Sequence, residues 1–207
     1  MLTLAAYAAL AWGAGTSQAG RLDDFGDAPA FGLTDHLERP ARSDDFRGKV
    51  VVANFVYTSC QDTCPLLSLR MQALQEALRQ EGLLGSRVQL LSFTVDPARD
   101  TPAVLRAYAE RHQADPDAWR FLTGPAQYVQ AVVVQGFRLG VQPAPAPNTS
   151  QNGYVDGQAE PSTSDVMHSN RFVLIDRRWR IRAYYDGLEL DLGRAVGDVR
   201  LLLRHGA

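Results

Sequence analysis

Residues 49–65 read KVVVANFVYTSCQDTCP. The first nine, Lys49 to Tyr57, are a near-continuous β-branched and aromatic run, the pattern of a central strand covered on both faces. Asp44, Asp45 and Gly48 form the turn leading into it. Beyond it, Leu67, Met71, Leu74 and Leu78 recur at spacings of four, three and four. That is one apolar stripe of a helix running to Gln80, stopped by Gly82 and Gly85. Cys60 and Cys64 therefore fall in the joint between a buried strand and a helix.

The pattern continues downstream. Arg87 to Val95 is a second buried strand, ended by Asp96-Pro97. Thr101 then caps a helix with Pro102 at its first position and Val104, Leu105, Tyr108 and Ala109 on its inner face. Trp119, Phe121 and Leu122 mark a short strand, a third helix runs from Gly124-Pro125 through Val134, and Phe137 to Val141 reads as another short strand. Residues 142–166 change character, with Pro143, Pro145, Pro147 and Pro161 in a loop that ends at Met167-His168. Arg171–Ile175 and Arg180–Tyr185 read as strands around a turn at Asp176–Trp179, followed by a helix over Leu188–Leu203 that contains Gly193 and Gly197. Upstream, Gly20–Glu38 is loop-like, with Phe31, Leu33 and Leu37 able to pack as a short hairpin. The order β-α-β-α-(β)-α-…-β-β-α predicts an α/β, thioredoxin-like fold. Its features are a central mixed sheet flanked by helices and a terminal antiparallel hairpin and helix.

The chain of 207 residues fits one such domain over 21–207 behind a segment 1–20. Net charge is −2 and no block of five like charges appears, which argues against a nucleic-acid footprint. Leu2–Ala14 is mostly apolar and uncharged, too short to span a bilayer, which takes about 20 residues. It fits a signal-peptide core with small Ser17 and Ala19 before a cut, or an uncleaved anchor, although no basic residue precedes Arg21. Export or anchoring at the cell envelope is the expectation, with membrane association only through the N-terminus.

Cys60 and Cys64 are the only cysteines. A bridge between them closes so small a loop that stability is a poor reason for it. Helix N-termini favour thiolate over thiol, the form that binds metals and attacks disulfides. If the intervening residues are helical, the Cβ atoms stand about 5–6 Å apart. A relaxed disulfide prefers about 3.8 Å, so this spacing suits a pair that alternates between chelate and bridge. Two thiolates select soft metals, Cu(I) above all, or zinc with further ligands. A structural zinc site wants four ligands. Of the four histidines, His36 and His205 read as solvated surface and His112 as packing or surface. His168 ends the long loop, from which an imidazole can swing toward a site elsewhere as a third ligand for copper held by two sulfurs.

Three separated stretches, VVVANFVYTSCQDTCP, LLSFTVDPARDTP and DVMHSNRFVLID, together resemble the Sco/SenC family of copper proteins. The resemblance runs from about Phe25 to Tyr185. It implies a thioredoxin-like fold and help in assembling the binuclear copper centre of cytochrome c oxidase, by delivering copper as Cu(I) or Cu(II), by reducing thiols of the copper-accepting subunit, or both. Other copper chaperones are further implied partners. The family's two cysteines fall on Cys60 and Cys64, its histidine ligand on His168, and its aspartate of the D-P motif on Asp96, near the site. Asp96 has a second reading, a turn that simply ends a strand. Gln61-Asp62-Thr63 replaces the more usual Pro-Asp-Val, and the loop at 142–166 departs from the family pattern. Three other functions share these residues. They are a thiol–disulfide oxidoreductase in which Cys60 attacks and Cys64 resolves, a peroxiredoxin-like peroxidase, and a redox or copper sensor.

Overall fold

The computed structural model describes residues 22–60, 63–139 and 170–205. Seven strands form one sheet: β1 (Gly32–Asp35), β2 (Pro40–Arg42), β3 (Val50–Val56), β4 (Val88–Thr94), β5 (Trp119–Thr123), β6 (Arg171–Ile175) and β7 (Ile181–Asp186). They lie in the order β2-β1-β5-β4-β3-β6-β7. β3, β4 and β5 run parallel, and all other neighbours are antiparallel. The helices are α1 (Thr63–Gln80), α2 (Pro102–Arg111), α3 (Ala126–Gln130, continuing as a π-turn to Gly136) and α4 (Leu192–His205).

Every residue of β3 is buried, as its unbroken apolar run requires, and its side chains alternate between two cores. Val50, Val52 and Val56 join Leu67, Met71, Leu74 and Leu78 of α1, Leu105 and Tyr108 of α2 and Val199 of α4. Val51, Ala53 and Phe55 face Phe31, Phe46, Val129 and Phe137 on the other side. The Thr101 hydroxyl accepts the Val104 N–H at 3.4 Å, as the predicted cap should.

Four details differ from the sequence reading. Phe137–Leu139 form no strand; the Phe137 ring sits against Phe55 and Phe93 at 5.2 and 5.1 Å, and burial of that ring decides its backbone. Within the loop-like N-terminal stretch, β1 is a strand of the main sheet, paired to β5, and Leu37 is only half-buried at the hairpin turn. α4 starts at Leu192 rather than Leu188, because the Asp191 carboxylate caps it through the Arg194 N–H at 3.0 Å. Leu188 and Leu190 instead give their carbonyls to Arg70 of α1, at 2.7 and 3.0 Å. His36 is not surface: it is 3% exposed, edge-on to Phe121, and its Nδ1 accepts the Phe121 N–H at 3.2 Å. Burial lowers its pKa.

The N-terminal segment lies along the outer edge of β7. Phe25 N–H donates to Ile181 O, and Ile181 N–H to Gly26 O, each at 2.9 Å. Arg180 pairs with Asp24 and Asp27, and Arg182 donates to the carbonyls of Leu22 and Asp23. No helix among the described residues is long and apolar enough to cross a membrane.

Candidate metal centre

Parallel pairing of β3 with β4 brings their C-terminal ends together, where open α/β sheets carry ligands. Val56 lies opposite Thr94, and Val95 N–H donates to Val56 O at 2.9 Å. The thiol segment leaving β3 and the D-P segment leaving β4 therefore run side by side.

After β3 the chain turns, with Cys60 N–H donating to Tyr57 O at 3.2 Å. α1 opens at Thr63, so Cys60 precedes it and Cys64 sits in its first turn. Cys60 Sγ accepts the Cys64 N–H at 3.3 Å and lies 3.9 Å from Thr63 Oγ1. The sulfur thus occupies the place where a capping oxygen usually satisfies a free helix N–H. Negative charge on Cys60 is favoured there. Cys64 is different. Its pKa is pushed up to about 12, chiefly by burial, with Cys60 and the Asp100 charge adding to the effect and a backbone hydrogen bond from Tyr57 opposing it. The pair is 8% and 4% exposed and unbridged.

Beneath this turn, the Tyr108 hydroxyl lies 2.9 Å from Ser68 Oγ and reaches Cys64 O at 3.5 Å. Burial pushes its pKa up to about 12. His112 packs on the Tyr108 ring, centroids 4.6 Å apart, in keeping with a packing role.

Asp96 ends β4 as predicted; its carboxylate pairs with Arg99 at 3.1 Å and its N–H donates to Thr94 Oγ1 at 3.0 Å. The residue that sequence reasoning passed over is Asp100, four further on in DPARDTP. It accepts hydrogen bonds from Thr58 and Thr94, and burial raises its pKa, with the Asp96 charge adding to that. The second Asp of the motif, just ahead of the helix cap, was the available sign.

His168 lies outside the described residues, as do Gln61, Asp62, the loop at 142–166, segment 1–20 and the His205 side chain. Among the described residues no group of three or more His, Cys, Asp and Glu surrounds a common point. A metal held by the two sulfurs would take a further donor from elsewhere in the chain.

The first described residue after His168 in the sequence is Asn170, whose carbonyl accepts the Gly187 N–H at 2.5 Å. A Cβ on Gly187 would clash with Leu67 Cδ2, one turn beyond Cys64, and stand 2.7 Å from Asn170 O. Gly187→Ala is therefore expected to cost about 1–3 kcal/mol by overpacking. Thermal denaturation checks this, since 1 kcal/mol lowers Tm by about 2–4 °C in a domain of this size.

The SCO1/SenC family model matches residues 23–204. A SCO1 protein homolog of Bacillus subtilis is 28% identical over 70% of this chain, which spans 66% of that relative's length. A candidate copper-binding protein of Stutzerimonas stutzeri is 31% identical, covering 83% of this chain and 78% of its own. Among solved structures, a SCO1/SenC family lipoprotein of Bacillus anthracis has a TM-score of 0.72 at 28% identity, covering 86% of this chain and 95% of its own. BsSco, described with a disulfide switch and as a member of the Sco family of cytochrome c oxidase assembly proteins, has a TM-score of 0.68 at 22% identity. That match covers 88% of this chain and 97% of BsSco. These neighbours share the thioredoxin-like α/β arrangement described above.

Proposed function

We propose that this chain, which belongs to the SCO1/SenC family, is a copper-binding metallochaperone that assists assembly of the binuclear copper centre of cytochrome c oxidase. Copper is its cargo, held by the thiolates of Cys60 and Cys64 and the imidazole of His168, with Asp96 in support. One observation carries the reading: Cys60 Sγ stands over the Cys64 N–H at 3.3 Å, so two soft donors converge at a helix N-terminus that favours negative charge. His168 stands two positions before Asn170 in the sequence, and the Asn170 carbonyl accepts the N–H of Gly187, which packs against Leu67 of α1. Because the Cys64 thiol is pushed up to about 12, copper uptake releases its proton.

On this reading residues 21–207 are the working domain and 1–20 the export or anchoring segment. The protein acts on the extracytoplasmic face of the cell envelope, with the copper-accepting oxidase subunit and other copper chaperones as partners. The lipoprotein neighbour supports an envelope anchor.

The difference between the two thiols supports a second activity, thiol–disulfide exchange. Cys60, at the helix N-terminus, attacks a target disulfide, and Cys64 then attacks the Cys60 sulfur of the mixed disulfide. The target's S–S bond breaks and it leaves as a dithiol, its two electrons and two protons supplied by the Cys60 and Cys64 thiols as they join in a disulfide.

Titration of the reduced full chain with Cu(II), followed by absorption and electron paramagnetic resonance, tests the main reading. One copper per chain with a sulfur-to-copper charge-transfer band is expected, and neither should survive Cys60→Ser. A wild-type chain that binds no stoichiometric copper through sulfur ends the proposal.

A further inference from the structure

We propose that Asp100 is the positioning residue for the thiol pair: its buried carboxylate grips Thr58 and so fixes the turn that carries Cys60. This rests on the copper reading above and names a part of its machinery.

Asp100 is 0% exposed. Its Oδ1 accepts the Thr58 hydroxyl at 2.5 Å and lies 3.3 Å from the Thr58 N–H; its Oδ2 accepts the Thr94 hydroxyl at 2.5 Å and the Thr58 N–H at 3.2 Å. The Thr94 oxygen in turn accepts the Asp96 N–H. A single side chain thus joins the end of β3, the end of β4 and the start of α2. It links two of the three sequence motifs that lie far apart in the chain.

The grip falls two residues before Cys60. The adjoining residue Tyr57 meets both cysteines, its carbonyl accepting the Cys60 backbone N–H and its backbone N–H donating to the Cys64 sulfur. Any drift of the Tyr57–Thr58 peptide therefore changes how the two sulfurs face each other. Among the described residues, no Arg, Lys or His forms an ion pair with Asp100. A carboxylate withdrawn from water without a counter-cation is an expensive way to tie two loops, and a neutral amide would offer only one acceptor oxygen where this site uses two. What it supplies in return is four acceptor contacts, three to Thr58 and one to Thr94, the two from hydroxyls at 2.5 Å. Residues that orient metal-binding groups typically alter affinity about 10–100-fold when removed.

The test uses the full chain with Asp100→Ala, Asp100→Asn and Thr58→Val. Two properties are measured: Cu(II) affinity with its charge-transfer band, and the copper-free equilibrium of Cys60–Cys64 with glutathione. Asp100→Ala is expected to weaken copper binding about 10–100-fold, shift the band and move the thiol equilibrium about tenfold or more. Asp100→Asn, which keeps one acceptor oxygen for the Thr58 hydroxyl but sets an NH2 where the second oxygen accepted, should fall between wild type and Asp100→Ala in both. Thr58→Val should move them in the same direction as Asp100→Ala, and it decides the matter if Asp100→Ala does not fold. A variant that melts at lower temperature with an unchanged band and unchanged thiol equilibrium overturns the proposal, because Asp100 is then mere scaffold. If the wild-type chain binds no copper yet Asp100→Ala shifts the thiol equilibrium, the copper reading fails and the positioning role stands.

Discussion

His168→Ala is expected to bind Cu(II) about a hundredfold more weakly or worse, while its Cys60–Cys64 dithiol cycles with glutathione within about threefold of wild type. Both halves follow from where the donors come from. On the proposed reading the two sulfurs at the start of α1 would form a bidentate grip completed by one imidazole, and losing a direct ligand costs more than the 10–100-fold typical of groups that only orient ligands. Thiol exchange, by contrast, needs only the attacking sulfur, the resolving sulfur and access. Isothermal titration with Cu(II) and a glutathione redox titration on the same variant separate the two. Unchanged copper affinity would remove His168 from the site. A large change in the thiol equilibrium would mean that the imidazole serves the sulfurs rather than the metal.

Asp35→Ala should be the most damaging single change far from the thiols, costing about 3–5 kcal/mol at pH 7. Asp35 is fully buried at the end of β1. Its carboxylate accepts the N–H groups of Leu37 and Arg39 at 2.9 and 2.8 Å, Arg39 Nε at 2.8 Å and Arg120 Nε at 2.9 Å. It thereby fastens the β1–β2 hairpin to β5, and its removal leaves the largely buried Arg120 uncompensated. Burial alone would raise its pKa, but the Arg39 backbone and guanidinium, Arg120 and Leu37 outweigh that and hold it below 3.8. A lowered value means that the ionised form stabilises the fold. The contribution is complete above about pH 4 and is lost as pH falls through the lowered value. Urea denaturation of both proteins at pH 7 and near pH 2.5 should show a wide gap that narrows on acidification. A difference below 1 kcal/mol at pH 7 would overturn the assignment.

What could be read from the chain was whatever depends on local pattern. The run Lys49–Tyr57 announced a strand buried on both sides because, from Val50 to Val56, every residue except Asn54 is apolar. The stripe Leu67, Met71, Leu74 and Leu78 announced the inner face of α1, and all four side chains are buried. The Thr101-Pro102 start of α2 is a cap and a fixed φ written in adjacent letters. What escaped reading depends on neighbours distant in sequence. His36 is buried because β1 pairs with β5, a contact between residues almost ninety apart. Asp100 looks like any polar residue ahead of a helix until Thr58 and Thr94 are folded onto it. The stretch Leu188–Leu190 stays out of α4 with two of its carbonyls held by Arg70, a side chain on another helix. Of the candidate site, the cysteines were proposed from their spacing, Asp96 from its motif, and Asp100 only from its partners in the fold.

The segment that lies along β7 bears on how the molecule behaves in a crowded solution. Without it, the last strand would present unpaired amides to any passing chain, an invitation to stack sheet upon sheet. Fragments trimmed past Ala28 would gain that liability even though no core residue of α1, β3 or β4 had been touched. Solubility here is guarded by a few residues that contribute nothing to the chemistry at the opposite end of the strands.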